Sequence, residues 1–293
     1  MSETRDNNSL PVFFETAPNL TNNAMDSVYR QIASWHNNVY AVWQDSVPPG
    51  FTNYAIFIKS TNDYGTTFGT PVNFSNNSAF SEHPQIATYD NMVYSIWADD
   101  TSGNREVDFT RSEDNMTTFD KISNLSNNTS DSFNQEIAVF ADNVYVVWLD
   151  QDENDNTDIS LKARVDNGAT FGRTVNINRN INQETFPKVA AYGGSVYIAW
   201  NTVDDSLVET ENQGLFFVRS SYGGSTFNNI IKLSQQNKFR ELQVAAHDNV
   251  VYVVAGGLHS LDIDGVFFAK STDRGTSFSE PVVIEEDGRF VNP

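Results

Sequence analysis

Two arginines narrow the chemistry open to this chain. Arg30 stands in VYRQIA and Arg240 in RELQVA, two of five similar segments; the others are EHPQIA, FNQEIA and TFPKVA. A guanidinium offers two parallel N–H donors that match one carboxylate, so arginines brought side by side would bind an acid group on a sugar or a peptide. The same segments supply Tyr29, His83, Phe186 and Glu241, aromatic faces mixed with hydrogen-bonding groups. A second constellation lies in DQDENDNTD, where Asp150, Asp152 and Asn154 set oxygen ligands at alternate positions, as at the start of a calcium loop. The glycine and the distant glutamate of such a loop are missing, so a solvated acidic turn is the competing reading. Calcium is the candidate ion, and no cofactor is required. The four histidines have no zinc-site spacing.

The elements that must position these residues announce themselves through an octet. TNDYGTTF starts at Thr61, SEDNMTTF at Ser112, RVDNGATF at Arg164, SSYGGSTF at Ser220 and STDRGTSF at Ser271, at offsets of 51, 52, 56 and 51 residues. A near-constant period across five copies means five equivalent structural units. Asp63, Asp114, Asp166 and Asp273 can accept hydrogen bonds from backbone N–H groups just downstream and so close a tight turn. The glycine two residues on allows a positive φ, and the final Phe plugs the place where turn meets sheet. Met116 replaces that glycine in one copy and Tyr222 replaces the aspartate in another. Those two corners are expected to be less rigid.

Each unit also carries a hairpin. QIASWHNNVYAVWQD, QIATYDNMVYSIWAD, EIAVFADNVYVVWLD, KVAAYGGSVYIAWNT and QVAAHDNVVYVVAGG read as a strand, a turn and a returning strand. The returning strand is apolar on both alternating faces and therefore buried on both. A third strand such as LFFVRS, the octet and a fourth strand such as TPVNFSNN complete the unit. Four antiparallel strands per unit, each sheet sandwiched between neighbours, predict an all-β fold, a β-propeller over residues 1–293 as a single domain. The units run approximately over residues 28–78, 82–130, 133–182, 185–236 and 240–293. An N-terminal strand over 12–23 resembles the end of a unit and is expected to close the ring. Five complete units favour five blades; a ring of six positions with one incomplete blade is the alternative.

The S-x-D-x-G-x-T-F octet resembles the Asp-box, the bacterial neuraminidase repeat, and from about Asn19 onward the chain is similar to sialidase-like β-propellers. That resemblance implies a structural role for Asp63, Asp114, Asp166 and Asp273, on the face opposite the ligand site. It also implies that Tyr29-Arg30 stands where sialidases carry a [FY]-R-I-P arginine that grips the substrate carboxylate. YRQIA keeps the Tyr-Arg pair and loses the Ile-Pro. Arg240 offers a second arginine, no third segment offers one, and no nucleophilic tyrosine or acid/base aspartate can be assigned.

Composition sets the surroundings. A net charge of −20 with only 18 Lys and Arg repels nucleic acid and anionic membranes. No cysteine is present, so stability must come from packing. No apolar run is long enough to insert in a membrane, and N-glycosylation sequons occur at Asn19, Asn73, Asn76, Asn124 and Asn127. The expectation is an extracellular or cell-surface binding or scaffold propeller without catalysis. Its ligand is a glycan or a surface protein, held at the channel mouth by Arg30, Arg240, Tyr29, His83, Phe186 and Glu241. The alternative is a sialidase-like exo-glycoside hydrolase.

Overall fold

The Val-Tyr-x-x-Trp stretches form the second strands of five antiparallel sheets. The computed structural model describes residues 19–21, 26–47, 53–164, 170–178, 184–202, 214–234, 239–259, 263–285 and 290–291, and every regular element among them is a β-strand. The first sheet runs β1 (Ser27–Trp35), β2 (Asn38–Val47), β3 (Asn53–Thr61), β4 (Val72–Asn73). The second runs β5 (Ser81–Tyr89), β6 (Met92–Asp99), β7 (Glu106–Ser112), β8 (Ser123–Asn124). The third runs β9 (Ser132–Phe140), β10 (Asn143–Gln151), β11 (Thr157–Arg164), β12 (Val175–Asn176). The fourth runs β13 (Glu184–Tyr192), β14 (Ser195–Thr202), β15 (Gly214–Ser220), β16 (Ile231–Ser234). The fifth has five strands, β17 (Phe239–His247), β18 (Val250–His259), β19 (Ile263–Ser271), β20 (Val282–Glu285) and β21 (Phe290–Val291).

Alternation puts each second strand to work on both sides. β6 and β14 are buried along their whole length. Tyr94 and Ile96 face the third sheet with Val144, Val146 and Trp148. Val93 and Trp97, on the other face, meet Tyr40, Val42, Ile56 and Ile58 of the first sheet. Two further clusters join the third sheet to the fourth and the fourth to the fifth. Trp97, Trp148 and Trp200 are at most 1% exposed, and removing each from water contributes on the order of 2–3 kcal/mol.

Five sheets thus share four interfaces among the described residues. β1 packs on β5, β5 on β9, β9 on β13 and β13 on β17, whereas β1 and β17 do not form such a pair. Ile32 of β1 is 70% exposed, while its register equivalent Ile86 is 9% exposed in the core between sheets one and two. At the other end, Val266 is 41% exposed and Tyr252 only half-buried, where Tyr40, Tyr94, Tyr145 and Tyr197 are at most 1% exposed. The expected closing strand 12–23 lies outside the described residues except for Asn19–Thr21. There the Asn19 side chain accepts hydrogen bonds from the Thr21 amide and hydroxyl. Asn73 and Asn124, the last residues of β4 and β8, accept the amides of Asn76 and Asn127, three residues on.

The octets fold into side-chain-capped corners after β3, β7, β15 and β19. In the last one, Ser271 Oγ donates to Asp273 Oδ1 (2.7 Å), and Asp273 Oδ1 accepts the amides of Thr276 (3.0 Å) and Ser277 (2.9 Å). Ser271 Oγ also accepts the Gly275 amide (2.8 Å). Asp63 and Asp114 repeat the arrangement, and their own bonds, led by the Thr61 hydroxyl, hold Asp63 down at about 2. Asp166 lies outside the described residues. Where Tyr222 replaces the aspartate, Ser220 Oγ still accepts the Gly224 amide (3.0 Å).

The corner glycine has a second task. A Cβ at Gly275 would lie 2.7 Å from Phe217 Cζ and 3.5 Å from Tyr197 Cδ1, and one at Gly224 would lie 3.1 Å from Leu161 Cδ2. These two corners therefore sit on the preceding sheet, and at the second corner Tyr40 of the first sheet donates its hydroxyl to Asn115 (3.0 Å). Gly65, on the first corner, has φ +89 and no atom within 4 Å of its would-be Cβ. Gly275→Ala is expected to cost about 2–3 kcal/mol in urea melts, strain plus overpacking, against about 1 kcal/mol for Gly65→Ala. Equal costs would show that the sheet contact is immaterial.

Asp108 breaks the pattern on β7. It pairs with Trp97 in register, where Phe57 stacks on Trp43 and Phe216 on Trp200 in other sheets. Burial, then the charges of Asp99 and Glu106, push its carboxyl up to about 7. An unfolded aspartate titrates near 3.9, so between about pH 4 and 7 the folded chain binds the extra proton and loses stability as pH rises. Asp108→Asn should raise stability by on the order of 1–3 kcal/mol at pH 8 and leave it nearly unchanged at pH 4, read from thermal melts.

Candidate functional site

The five similar segments are the starts of the innermost strands, at the end of the sheets away from the corners. Each contains a register shift: between Val28 and Gln31, Glu82 and Gln85, opposite Val147 and Leu149, between Thr185 and Lys188, and between Phe239 and Glu241. Tyr29 (φ 50°), His83 (53°), Asn134 (53°) and Phe186 (48°) adopt the left-handed region there. A bulge turns its side chain out of the alternation, and such a conformation persists only where the surroundings enforce it. The restraint is visible at His83. Its amide donates to Gln44 Oε1 of the preceding sheet (3.1 Å), and its carbonyl accepts Gln135 Nε2 of the following one (2.6 Å).

Tyr29, Arg30 and His83 share one cleft of 830 Å³ with Val28, Gln44, Tyr54 and Glu82. The Tyr29 and His83 rings lie 3.9 Å apart between centroids, tilted by 55°. Tyr29 is 52% exposed, unusual for so large a ring. Arg30 is exposed and makes no ion pair or hydrogen bond among the described residues. Glu82 Oε2 stands 3.8 Å from His83 Nδ1. Burial lowers the His83 pKa more than Glu82 raises it, so the imidazole is neutral at pH 7, one nitrogen donating and the other accepting.

Phe186 and Glu241 line a separate cleft of 520 Å³, floored by Leu242, Val254, Gly256 and Val266 and edged by Lys188 and Gln243. Gly256 leaves it open where the other sheets carry Gln44, Ala98, Leu149 and Asn201. Between the two clefts runs a polar belt, in which Glu136 Oε1 accepts from Lys188 Nζ and from Gln85 Nε2 (3.4 Å). Burial pushes the Glu136 carboxyl up and the Lys188 ammonium pulls it back down.

The structure does not bring Arg30 and Arg240 to neighbouring strands. The expectation of a shared anion pocket assumed that β1 and β17 meet, and they do not pack among the described residues. The Arg240 side chain lies outside the described residues. The carboxylate oxygens of the candidate calcium ligands already have partners in the chain. Asp150 is taken up by Trp148 Nε1 (2.6 Å), Ser132 Oγ (2.6 Å) and Asn128 Nδ2 (2.9 Å). Asp152 folds back onto the amides of Asn154 (2.8 Å) and Asn156 (2.9 Å).

That Asp150 cluster recurs, and sequence reasoning missed it. Asp99 accepts Trp97 Nε1 (3.2 Å), Ser81 Oγ (2.8 Å) and Asn77 Nδ2 (2.7 Å). Asp45 accepts Trp43 Nε1 (3.3 Å) and Ser27 Oγ (3.1 Å). Each ties the end of a second strand to the start of the bulged inner strand. The signal was the Trp-x-Asp of WQD, WAD and WLD, with a serine 18 residues before each aspartate.

No protein-family model and no curated protein matches the chain. Solved structures do match its backbone. A Dyadobacter fermentans protein of unknown function is 13% identical with a TM-score of 0.62, covering 90% of this chain and 84% of that one. Trypanosoma rangeli sialidase is 12% identical with a TM-score of 0.60, over 89% of this chain and 48% of that. An ulvan lyase bound to its saccharide is 11% identical with a TM-score of 0.60, over 89% and 69%. The chain spans 58% of Hadza microbial sialidase Hz136, at 11% identity and a TM-score of 0.57. These likenesses define the fold as a sialidase-like β-propeller. No helix among the described residues is long and apolar enough to cross a membrane.

The belt makes a prediction of its own. Lys188→Met leaves Glu136 buried without its cation and should cost roughly 2–4 kcal/mol at pH 7. Urea melts should show the deficit shrinking toward pH 4, where Glu136 takes a proton, and Lys188→Met/Glu136→Gln recovering part of it.

Proposed function

We propose that the protein is a glycan-binding β-propeller, acting outside the cell or at its surface, that holds its ligand in the Tyr29–Arg30–His83 cleft without cleaving it. The carrying observation is the cleft itself: the exposed Tyr29 ring against His83, whose backbone is clamped, beside a guanidinium with no ion pair among the described residues. Rings take the C–H face of a sugar, while Gln44, His83 and Glu82 offer donors and acceptors to its hydroxyls. Arg30 adds a fork for a carboxylate on that sugar. The capped corners are Asp-boxes in this reading and serve stability at the opposite end. The hydrogen-bonded Asn19–Thr21 turn, the exposure of Ile32 and the lack of a first-to-fifth sheet interface among the described residues support a ring of six positions over one of five.

Glycan-array binding run beside hydrolysis of a chromogenic sialoside tests the function. The expected outcome is binding without turnover, weakened tenfold or more by Arg30→Ala and by Tyr29→Ala with unchanged melting temperatures. Turnover of the sialoside would replace the binding reading with exo-glycosidase action.

A further inference from the structure

The cleft around Tyr29 does not end at His83. Glu82, which lines it, also lines a neighbouring cavity of 250 Å³ with Phe80, Ala98, Asp100 and Arg105. The two cavities share an aromatic wall as well, since Tyr54 of the first and Phe80 of the second have ring centroids 5.9 Å apart. Phe80 is 38% exposed. Arg105 is exposed, and its guanidinium makes no ion pair among the described residues. Its backbone is nevertheless fixed, because the Arg105 amide donates to Asp131 Oδ1 (2.9 Å) and its carbonyl accepts the Ser132 amide (2.8 Å). The loop leading to it is fixed too: Phe80 N donates to Asp100 Oδ1 (2.8 Å) and Asp100 N to Phe80 O (3.1 Å).

We propose that these two cavities are adjoining subsites of one trough, which binds an internal stretch of an acidic polysaccharide, with Arg30 and Arg105 each taking the carboxylate of a different sugar. The inference rests on the glycan reading and extends it from a single sugar to a chain. A trough open past His83 accommodates residues on either side of the one held by Tyr29. Two exposed arginines flanking it are conspicuous on a protein of net charge −20. Glu82, shared by the two cavities, accepts sugar hydroxyls, so acid groups are favoured at the arginines and neutral ring edges beside the carboxylate. Arg105 stands on backbone that is already hydrogen-bonded in place, which lowers the ordering cost of binding.

Titration calorimetry of the full chain with galacturonic acid and its oligomers from two to six residues tests this. Affinity should climb tenfold or more between the monomer and the trimer or tetramer and then level off. Arg105→Gln should remove that climb, and Arg105→Lys should restore part of it. Arg30→Gln should weaken every length. Neutral maltohexaose should bind more weakly than the acidic hexamer. Binding that is independent of length, or a climb that survives Arg105→Gln, would overturn the two-subsite trough and leave the glycan reading standing. Failure of all these oligomers together with a blank glycan array would overturn the glycan reading itself.

Discussion

A sheet that is apolar on both faces cannot stand alone in water, and everything else in this molecule follows from that constraint. The second strands carry tyrosine and valine toward one neighbour and tryptophan toward the other, so each sheet is stable only between two others. The repeat is how the sequence supplies those neighbours. The same requirement makes the two ends of the array visible: Ile32 at one and Val266 at the other are exposed because no described sheet lies against them.

Packing fixes where sheets lie, and two polar devices fix how their ends are finished. At one end the Ser-x-Asp corner satisfies its own backbone and presses a glycine onto the ring of the preceding sheet, so one motif serves both turn geometry and sheet-to-sheet contact. At the other end a buried aspartate gathers a tryptophan N–H, a serine hydroxyl and in two cases an asparagine amide, pinning the start of the inner strand. Because that start is pinned, the next residues can be held in a left-handed bulge. The residues at that end are thus carried on left-handed backbone, which at His83 is held by the sheets on both sides.

Charges used up inside the fold differ from charges left open at the clefts. Asp99 and Asp150 look like surface acid in a chain with 38 acidic residues, yet hydrogen bonds from tryptophan and serine consume them. Arg30 and Arg105 look like scattered surface charge, yet they border two connected cavities and have no acidic partner among the described residues. Formal charge along the sequence did not distinguish these cases, because distinguishing them depends on which groups converge.

The sequence by itself determined the repeat, the antiparallel four-strand unit, the sandwiching of sheets and the hydrogen-bonding role of Asp63, Asp114 and Asp273. These rest on local periodicity and turn chemistry, which are written within each fifty-residue unit. Tyr29, Arg30, His83, Phe186 and Glu241, singled out from the segments that open the inner strands, line clefts at that end of the sheets. Their grouping was decided only by the tertiary structure. Tyr29 joins His83 across a sheet boundary, Phe186 and Glu241 line another cleft, and Asp150 turns inward. The spacing between units carries no record of how far the ring turns from one sheet to the next, and that angle decides which distant side chains meet.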